Sequence, residues 1–281
     1  MKQVVRNGWG RTISVNSIDL QFGINTAFLR EGVKQHGLAV GLGRSYGDSS
    51  LNVGGVTWSS RLLKFMDFDL SNDEVLCGAG VTIGELERES VSHGLFPRVV
   101  PGTEFVTIGG AVASNIHGKS HHTFGAFADQ IVEMTIANAV GELTVLRPSG
   151  ENSEYFWATV GGIGLTGAVV SVKIKLSKIS SAFISVKEER VKSLPQMLEL
   201  LKLYDQHYLY TVAWIDLSGR FEGRGIVSGG NHAPLSDLKS REKNHPFQVK
   251  HPGKFLLPDI FPSFTINKYS VGLFNQIWYQ K

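Results

Sequence analysis

The sequence has 281 residues, 42% hydrophobic and 19% charged, with 28 basic and 25 acidic side chains that leave a net charge of +3. That is enough chain to bury a core in one large domain or two modest ones, and the positive surplus is too small to indicate a nucleic-acid partner. Thirty-two glycines stand out, and the single cysteine, Cys77, excludes an internal disulfide and fits a reducing, cytoplasmic compartment.

The first eight residues lack the apolar segment of a signal peptide. Residues 26–36 read as a helix with Phe28, Leu29 and Val33 on one face and Gly37 just past its end. Leu38, Ala39 and Val40 then form a short buried strand that runs into a glycine-rich loop. Thr82 and Glu85 have the spacing of a capping box, and the helix they start runs to Ser92 and stops at Gly94. Residues 95–100 read as extended, so a weak internal similarity links His36-Gly37-Leu38 to His93-Gly94-Leu95. Two strands follow at 131–139 and 143–146, then a helix or turn at 149–158. The run from Tyr155 to Val172 is uncharged for 18 residues, but four glycines interrupt it, so no transmembrane span is expected. Residues 170–177 alternate strictly between apolar and polar, the mark of a half-buried strand. Beyond residue 178 glycine thins out, and a domain boundary is placed there. A helix at 194–204 and a strand at 208–217 are expected, then a loop over 229–254. The basic residues between Lys239 and Lys254 suit lipid phosphate or, more simply, a solvated loop. The end, from Ile277 to Lys281, reads as strand-like.

Three glycine-rich segments, 41–47, 101–118 and 161–167, are suited to bind anions through successive backbone N–H groups, with a lesser Gly54-Gly55 pair. Gly162-Ile-Gly-Leu-Thr-Gly167 fits the dinucleotide fingerprint by letter. It fails by context, because a helical stretch precedes it and a strand follows it. Arg44 suits a phosphate or the closing of a surface loop. Tyr46 suits a ring stack or the core, and Asp48 a hydroxyl or an Asx-turn. His117 and His121 have the spacing of a zinc pair, yet the glycines around them oppose a helix and no carboxylate lies nearby, so no metal is expected. Cys77 reads as buried and inert.

Four motifs occur in order: Gly-Leu-Gly-Arg-Ser-Tyr-Gly-Asp (41–48), Pro-Gly-Thr (101–103), Thr-Ile-Gly-Gly-Ala-Val-Ala-Ser-Asn-Ile-His-Gly-Lys (107–119) and Phe-Trp-Ala-Thr-Val-Gly-Gly-Ile-Gly-Leu-Thr-Gly (156–167). This order resembles the FAD-linked oxidases of the vanillyl-alcohol oxidase or p-cresol methylhydroxylase (PCMH) type. Within them it is most similar to the branch that supplies the flavin half of an epimerase used in cell wall arabinan synthesis. The likeness is dense from about residue 5 to 178 and looser over 210–216 and 255–281.

The resemblance implies an α+β fold. A PCMH-type FAD-binding domain of two subdomains would span 1–178, and part of an antiparallel-sheet substrate domain would span 179–281. It carries FAD contacts onto Gly41, Leu42, Gly43, Arg44, Ser45, Tyr46, Gly47, Gly102, Thr103, Thr107, Ile108, Gly109, Gly110, Ser114, Asn115, His117, Gly118, Gly162 and Gly167. His117 and Lys119 become the catalytic candidates, and Lys119 and Trp214 the substrate contacts. Many relatives bond flavin covalently through a histidine in the first loop. Arg44 stands there here, so the FAD is expected to be non-covalent.

The implied chemistry is oxidation of a secondary hydroxyl on a sugar derivative, a small-molecule or lipid-linked, ribose-like substrate, by hydride transfer to flavin N5. A short-chain reductase partner and a cytoplasmic location, peripheral at the inner membrane, come with the resemblance. The family's chain runs on past the equivalent of Lys281 and places its catalytic lysine there, so this chain reads as C-terminally truncated. Two rivals stand beside this reading: an aldonolactone or alditol oxidase using oxygen, and a fragment that binds FAD without turnover.

Overall fold

The structure, a computed structural model, describes residues 2–21, 37–138, 141–218, 223–248 and 263–280. It divides into two compact units, Met1–Ile179 and Ser180–Lys281. The elements are mixed α+β, as the sequence implies. The expected helix over 26–36 lies outside the described residues.

The first unit opens with a four-stranded sheet built from β1 (Lys2–Asn7), β2 (Ser14–Gln21), β3 (Leu38–Val40) and β4 (Val56–Ser59), in the order β1-β2-β4-β3. β1 lies antiparallel to β2, and β2, β4 and β3 run parallel. Inside it Arg6 forms an ion pair with Asp19, and its Nε donates to Thr57 Oγ1 at 2.9 Å.

The second sheet has six strands: β5 (Met66–Asp69), β6 (Glu74–Gly78), β7 (Leu95–Pro97), β8 (Ile131–Ala137), β9 (Leu143–Leu146) and β10 (Ala168–Lys178). β10 is its centre and pairs antiparallel with β6, β8 and β7. Its expected alternation holds from Val172 onward, whereas Ala168 to Ser171 are buried on both faces because the sheet is covered there. Helix α1 (Ile83–Ser92) begins with the predicted capping box: Glu85 N–H donates to Thr82 Oγ1 at 3.1 Å, and Thr82 N–H donates to Glu85 Oε2 at 2.8 Å. α2 (Ile108–Ala113), α3 (His121–Phe124) and α4 (Ser153–Thr159) complete the unit. Cys77 is buried in β6, and burial pushes its thiol up to about 12, which removes it from thiolate chemistry.

In the second unit β11 (Ile184–Val191), β12 (Tyr210–Asp216) and β13 (Arg224–His232) form an antiparallel sheet in the order β11-β13-β12. Helix α5 (Leu194–Tyr204) packs on one face, where Val191, Met197, Tyr204 and Val227 are buried. A Cβ on Gly229 would meet Tyr208 at 2.4 Å and Tyr204 at 2.7 Å, so the missing side chain makes room for both tyrosines. α6 (Ser240–Lys243) and α7 (Lys268–Gln280) follow.

Two expectations are corrected here. Residues 229–254 are not one loop: β13 runs to His232 and α6 occupies Ser240–Lys243, while 249–254 lie outside the described residues. The terminal segment is helical through Gln280, because Tyr269, Leu273, Ile277 and Gln280 recur with helical spacing that a reading of only the last five residues misses. No helix among the described residues is long and apolar enough to cross a membrane.

Candidate functional site

The three glycine-rich loops meet around α2. The first leaves β3, and there Gly41 lies so close to Thr107 that a Cβ would sit 2.4 Å from its Oγ1. That same Oγ1 caps α2 by accepting from Gly110 N–H at 3.2 Å. The start of α2 is pinned to the chain after β6, since Ile108 N–H donates to Val81 O at 2.8 Å and Gly109 N–H to Ala79 O at 2.9 Å. The third loop is pinned to the other end of α2, where Gly161 and Ile163 donate to the carbonyls of Val112 and Ala113, both at 3.0 Å.

Between the loops lies a cleft of about 260 Å³, lined by residues 39–46 of the first, by Phe105, Val106, Thr107, Gly110, Ala113, Ser114 and Ile116 of the second, and by Ile163 of the third. A smaller hollow of about 50 Å³ continues from it past Gly109, Gly110, Gly164 and Gly167. Among the described residues no acidic side chain lines either space. Ile163 carries a φ of 56°, a left-handed conformation that a β-branched residue adopts only under constraint. Its N–H bond to Ala113 supplies the constraint and holds the residue on the cleft wall.

Of the residues singled out by sequence, Gly41, Leu42, Gly43, Arg44, Ser45, Tyr46, Thr107, Gly110 and Ser114 line the cleft, and Gly109 and Gly167 line the smaller hollow. Tyr46 is 88% exposed, which rules out the core-filling role left open for it. The Arg44 guanidinium lies over two rings, Trp9 at 5.5 Å and Phe105 at 5.6 Å. Gly47 faces the β1–β2 turn: a Cβ on Gly8 would meet Gly47 O at 2.6 Å, and Trp9 N–H donates to Ser45 O at 2.9 Å.

The others are placed elsewhere. Ile108 is fully buried in the core. Thr103 Oγ1 accepts from Phe105 N–H at 3.3 Å, and no side chain opposes Gly102 within 4 Å. Asn115 Oδ1 accepts from Ala128 N–H at 3.1 Å, Gly118 packs against the Val100 backbone, and Gly162 lies against Ala158 O. Neither His117 nor Lys119 is on the cleft wall. The His117 ring meets His121 edge-on at 5.9 Å, and α3 begins only at His121, so the two do not share a helix. No group of three or more potential metal ligands occurs among the described residues. Trp214 lies in the second unit on β12, opposite Ile226, on the face turned away from the α5 side that Ala213 and Ile215 pack against. Sequence reasoning missed Trp9, Phe105 and Ile163. The signal for Ile163 was its place between two glycines, and none exists for Trp9, whose contact is made through folding.

Lys119 acts on Glu87 of α1. Burial pushes the Glu87 carboxyl up to about 7, Lys119 pulls it down, Glu104 pushes it further up and Arg88 pulls it down. A carboxyl whose folded value lies above its unfolded one supports the fold at low pH and loses that support as pH rises from about 4.5 to 7. Glu87→Gln is therefore expected to match the parent in thermal melts at pH 4. Above pH 7.5 it should exceed the parent by about 1–2 kcal/mol, with the partial exposure of the side chain allowed for. Equal melting temperatures at pH 8 would contradict this.

Residues 26–147 match the family model of an FAD binding domain. The chain is 34% identical over 285 residues to the decaprenylphosphoryl-beta-D-ribose oxidase of Mycolicibacterium smegmatis, an alignment covering 98% of this chain and 62% of that protein. It is 30% identical over 206 residues to an uncharacterised protein of Streptomyces coelicolor, covering 70% of this chain and 55% of that one. A D-lactate dehydrogenase of Archaeoglobus fulgidus is 27% identical over 43% of this chain and 28% of its own length. The cleft fits such a cofactor: glycine backbone forms its walls, its charged lining is basic, and it runs on into the smaller hollow. Residues 26–147 thus carry a match to an FAD binding domain, and FAD is the cofactor such a domain binds.

Proposed function

We propose that this protein is an FAD-dependent oxidoreductase that oxidises a secondary hydroxyl of a polyprenyl-phosphate, ribose-like sugar to a ketone. The observation that carries the reading is the convergence of three separated glycine loops on one cleft, in a chain alignable over 98% of its length with an oxidase of decaprenylphosphoryl-beta-D-ribose. The chain spans 62% of that relative's length and 55% of the Streptomyces protein's.

In this reading residues 1–178 hold the cofactor and 179–281 contribute part of the substrate domain. FAD held in the cleft would supply the acceptor, at N5, for the carbinol hydride. The first loop presents backbone N–H groups to the pyrophosphate. Arg44, rather than a histidine, leaves the cofactor non-covalent. Lys119 meets the substrate's anionic group, His117 orients the flavin or assists proton transfer from the hydroxyl, and Trp214 offers an apolar wall to the substrate. The lipid-linked substrate places the enzyme in arabinan synthesis, at the cytoplasmic face of the inner membrane, with a short-chain reductase as the partner that reduces the ketone.

The test is purification followed by turnover. Yellow protein whose colour passes into the supernatant on acid precipitation, and which reduces a dye with polyprenyl-phosphoribose, is expected. Colourless protein that cannot be loaded with FAD would sink the reading. A second reading, FAD binding without turnover by this chain alone, is favoured by the apolar side chains on α7, where Leu273 is 64% and Ile277 61% exposed. Yellow but inactive protein, set beside an active chain of the relative's full length, would select it.

A further inference from the structure

Helix α7 is amphipathic, but its polar side is the one turned to the protein. Asn275 Nδ2 donates to Asp216 Oδ1 at 2.8 Å, Gln276 Oε1 accepts from Arg224 at 2.8 Å, and Tyr279 OH donates to Val191 O at 3.3 Å. The buried Asp216–Arg224 pair beneath the helix needs polar partners, and it draws these side chains inward. The apolar residues are left on the outside. Tyr269, Leu273 and Ile277 form one row at four-residue spacing, and Phe274 and Trp278 form the next, their rings stacked at 6.0 Å. All five are exposed, as are Phe264 and Ile266 just before the helix.

With about 200 Å² for a fully exposed side chain of this size, these seven present on the order of 900 Å² of largely apolar surface. A stable interface takes about 800 Å² from each partner, so this one ridge carries enough for a protein contact. The stripe itself holds no charge, and the only charged residue of the helix, Lys268, stands at its start. A lipid surface is a poor occupant: a helix lying on it needs cationic side chains on a polar face turned to water, and here that face is uncharged and turned to protein. We propose that α7 is the interface of a two-fold symmetric homodimer, in which its outward stripe packs antiparallel against the same stripe of a second copy. Leu273, in the middle of the row, meets its own equivalent at the axis, and Tyr269 of one copy meets Ile277 of the other. No like charges face each other across the axis. Antiparallel packing also opposes the two helix dipoles and brings Lys268 of each copy to the last turn of the other.

Sedimentation equilibrium of the full chain tests this. A monomer–dimer equilibrium with a Kd below about 10 µM is expected. Leu273→Glu, which sets two carboxylates face to face at the axis, should weaken it at least tenfold with an unchanged circular dichroism spectrum. Leu198→Glu, on the exposed side of α5, should leave it as it is. Leu273→Cys gives a second readout that does not depend on how well the glutamate variant folds. Diamide takes two electrons and two protons from the paired thiols, and a disulfide-linked dimer is expected on non-reducing gels. Leu198→Cys should give none, nor should the parent, whose Cys77 is buried. A chain that stays monomeric, a dimer that Leu273→Glu leaves intact and Leu273→Cys does not cross-link, or an open-ended assembly overturns the proposal. So does a monomer that instead binds vesicles of anionic phospholipid through α7. The proposal does not rest on the oxidoreductase reading, because association is measured without substrate and on FAD-free as well as FAD-loaded protein.

Discussion

Gly41→Ala is expected to weaken FAD binding at least tenfold, or by about 1.4 kcal/mol. The added methyl would stand 2.4 Å from Thr107 Oγ1, far inside contact distance. Two relaxations are open. Thr107 can rotate away, which removes the cap on Gly110 N–H and costs about 1 kcal/mol. Alternatively the first loop can retreat, which widens the cleft where backbone donors must reach the pyrophosphate. Both act on the cofactor site. Gly41→Ala combined with Thr107→Ala removes the obstructing hydroxyl and should recover part of the affinity, less the lost cap. Retention of flavin on desalting, measured for the two single variants and the double, reads this directly. Additive losses would show that the Gly41–Thr107 approach does not set the spacing of the loops.

Asp216→Ala is expected to destabilise the second unit by about 3–5 kcal/mol, a large share of what a small domain possesses. Asp216 is fully buried and receives Arg224 Nε at 3.0 Å, Ser218 N–H at 2.9 Å and Asn275 Nδ2 at 2.8 Å. Burial pushes its carboxyl up, but hydrogen bonds from Ser218, Arg224 and Asn275 together outweigh this and hold it at about 2. Its contribution is thus present at neutral pH and is lost only as pH falls from about 4 to 2. Removing the carboxylate takes the ion pair from Arg224, which is 7% exposed, and leaves it Gln276 Oε1 at 2.8 Å and the Tyr279 ring at 4.7 Å. It also takes the shorter of two bonds from Asn275, leaving Ser218 Oγ at 3.2 Å, and so loosens α7. Urea unfolding should show the loss, and replacing both partners by leucine should cost less than the single change. An unchanged midpoint for Asp216→Ala would refute the claim.

What the sequence displayed was whatever is local. Thr82 and Glu85 are three residues apart and announce their helix, and the apolar spacing of Leu194 to Tyr204 announces another. The glycine loops were visible as binding segments for the same reason. Their convergence was not, because it depends on contacts such as Gly41 with Thr107 and Ile163 with Ala113, which join segments far apart in the chain. Trp9 lies before the start of the matched FAD domain, so nothing in its neighbours tied it to Arg44. The terminal helix was misread because five residues hold too little of a 3.6-residue period to distinguish it from a strand.

The position of β10 carries a consequence for biosynthesis. It is the last strand of its sheet to be made, yet it lies between β6 and β8 and also receives β7. Until residue 178 has left the ribosome, the β5–β6 hairpin and the β8–β9 hairpin have exposed inner edges and no strand to join them. Ser171 must find Gly78 across nearly a hundred residues of chain, a slow search because its loop must close before any contact rewards it. The nascent flavin domain thus passes its most aggregation-prone interval with its glycine loops already synthesised and its central strand still to come.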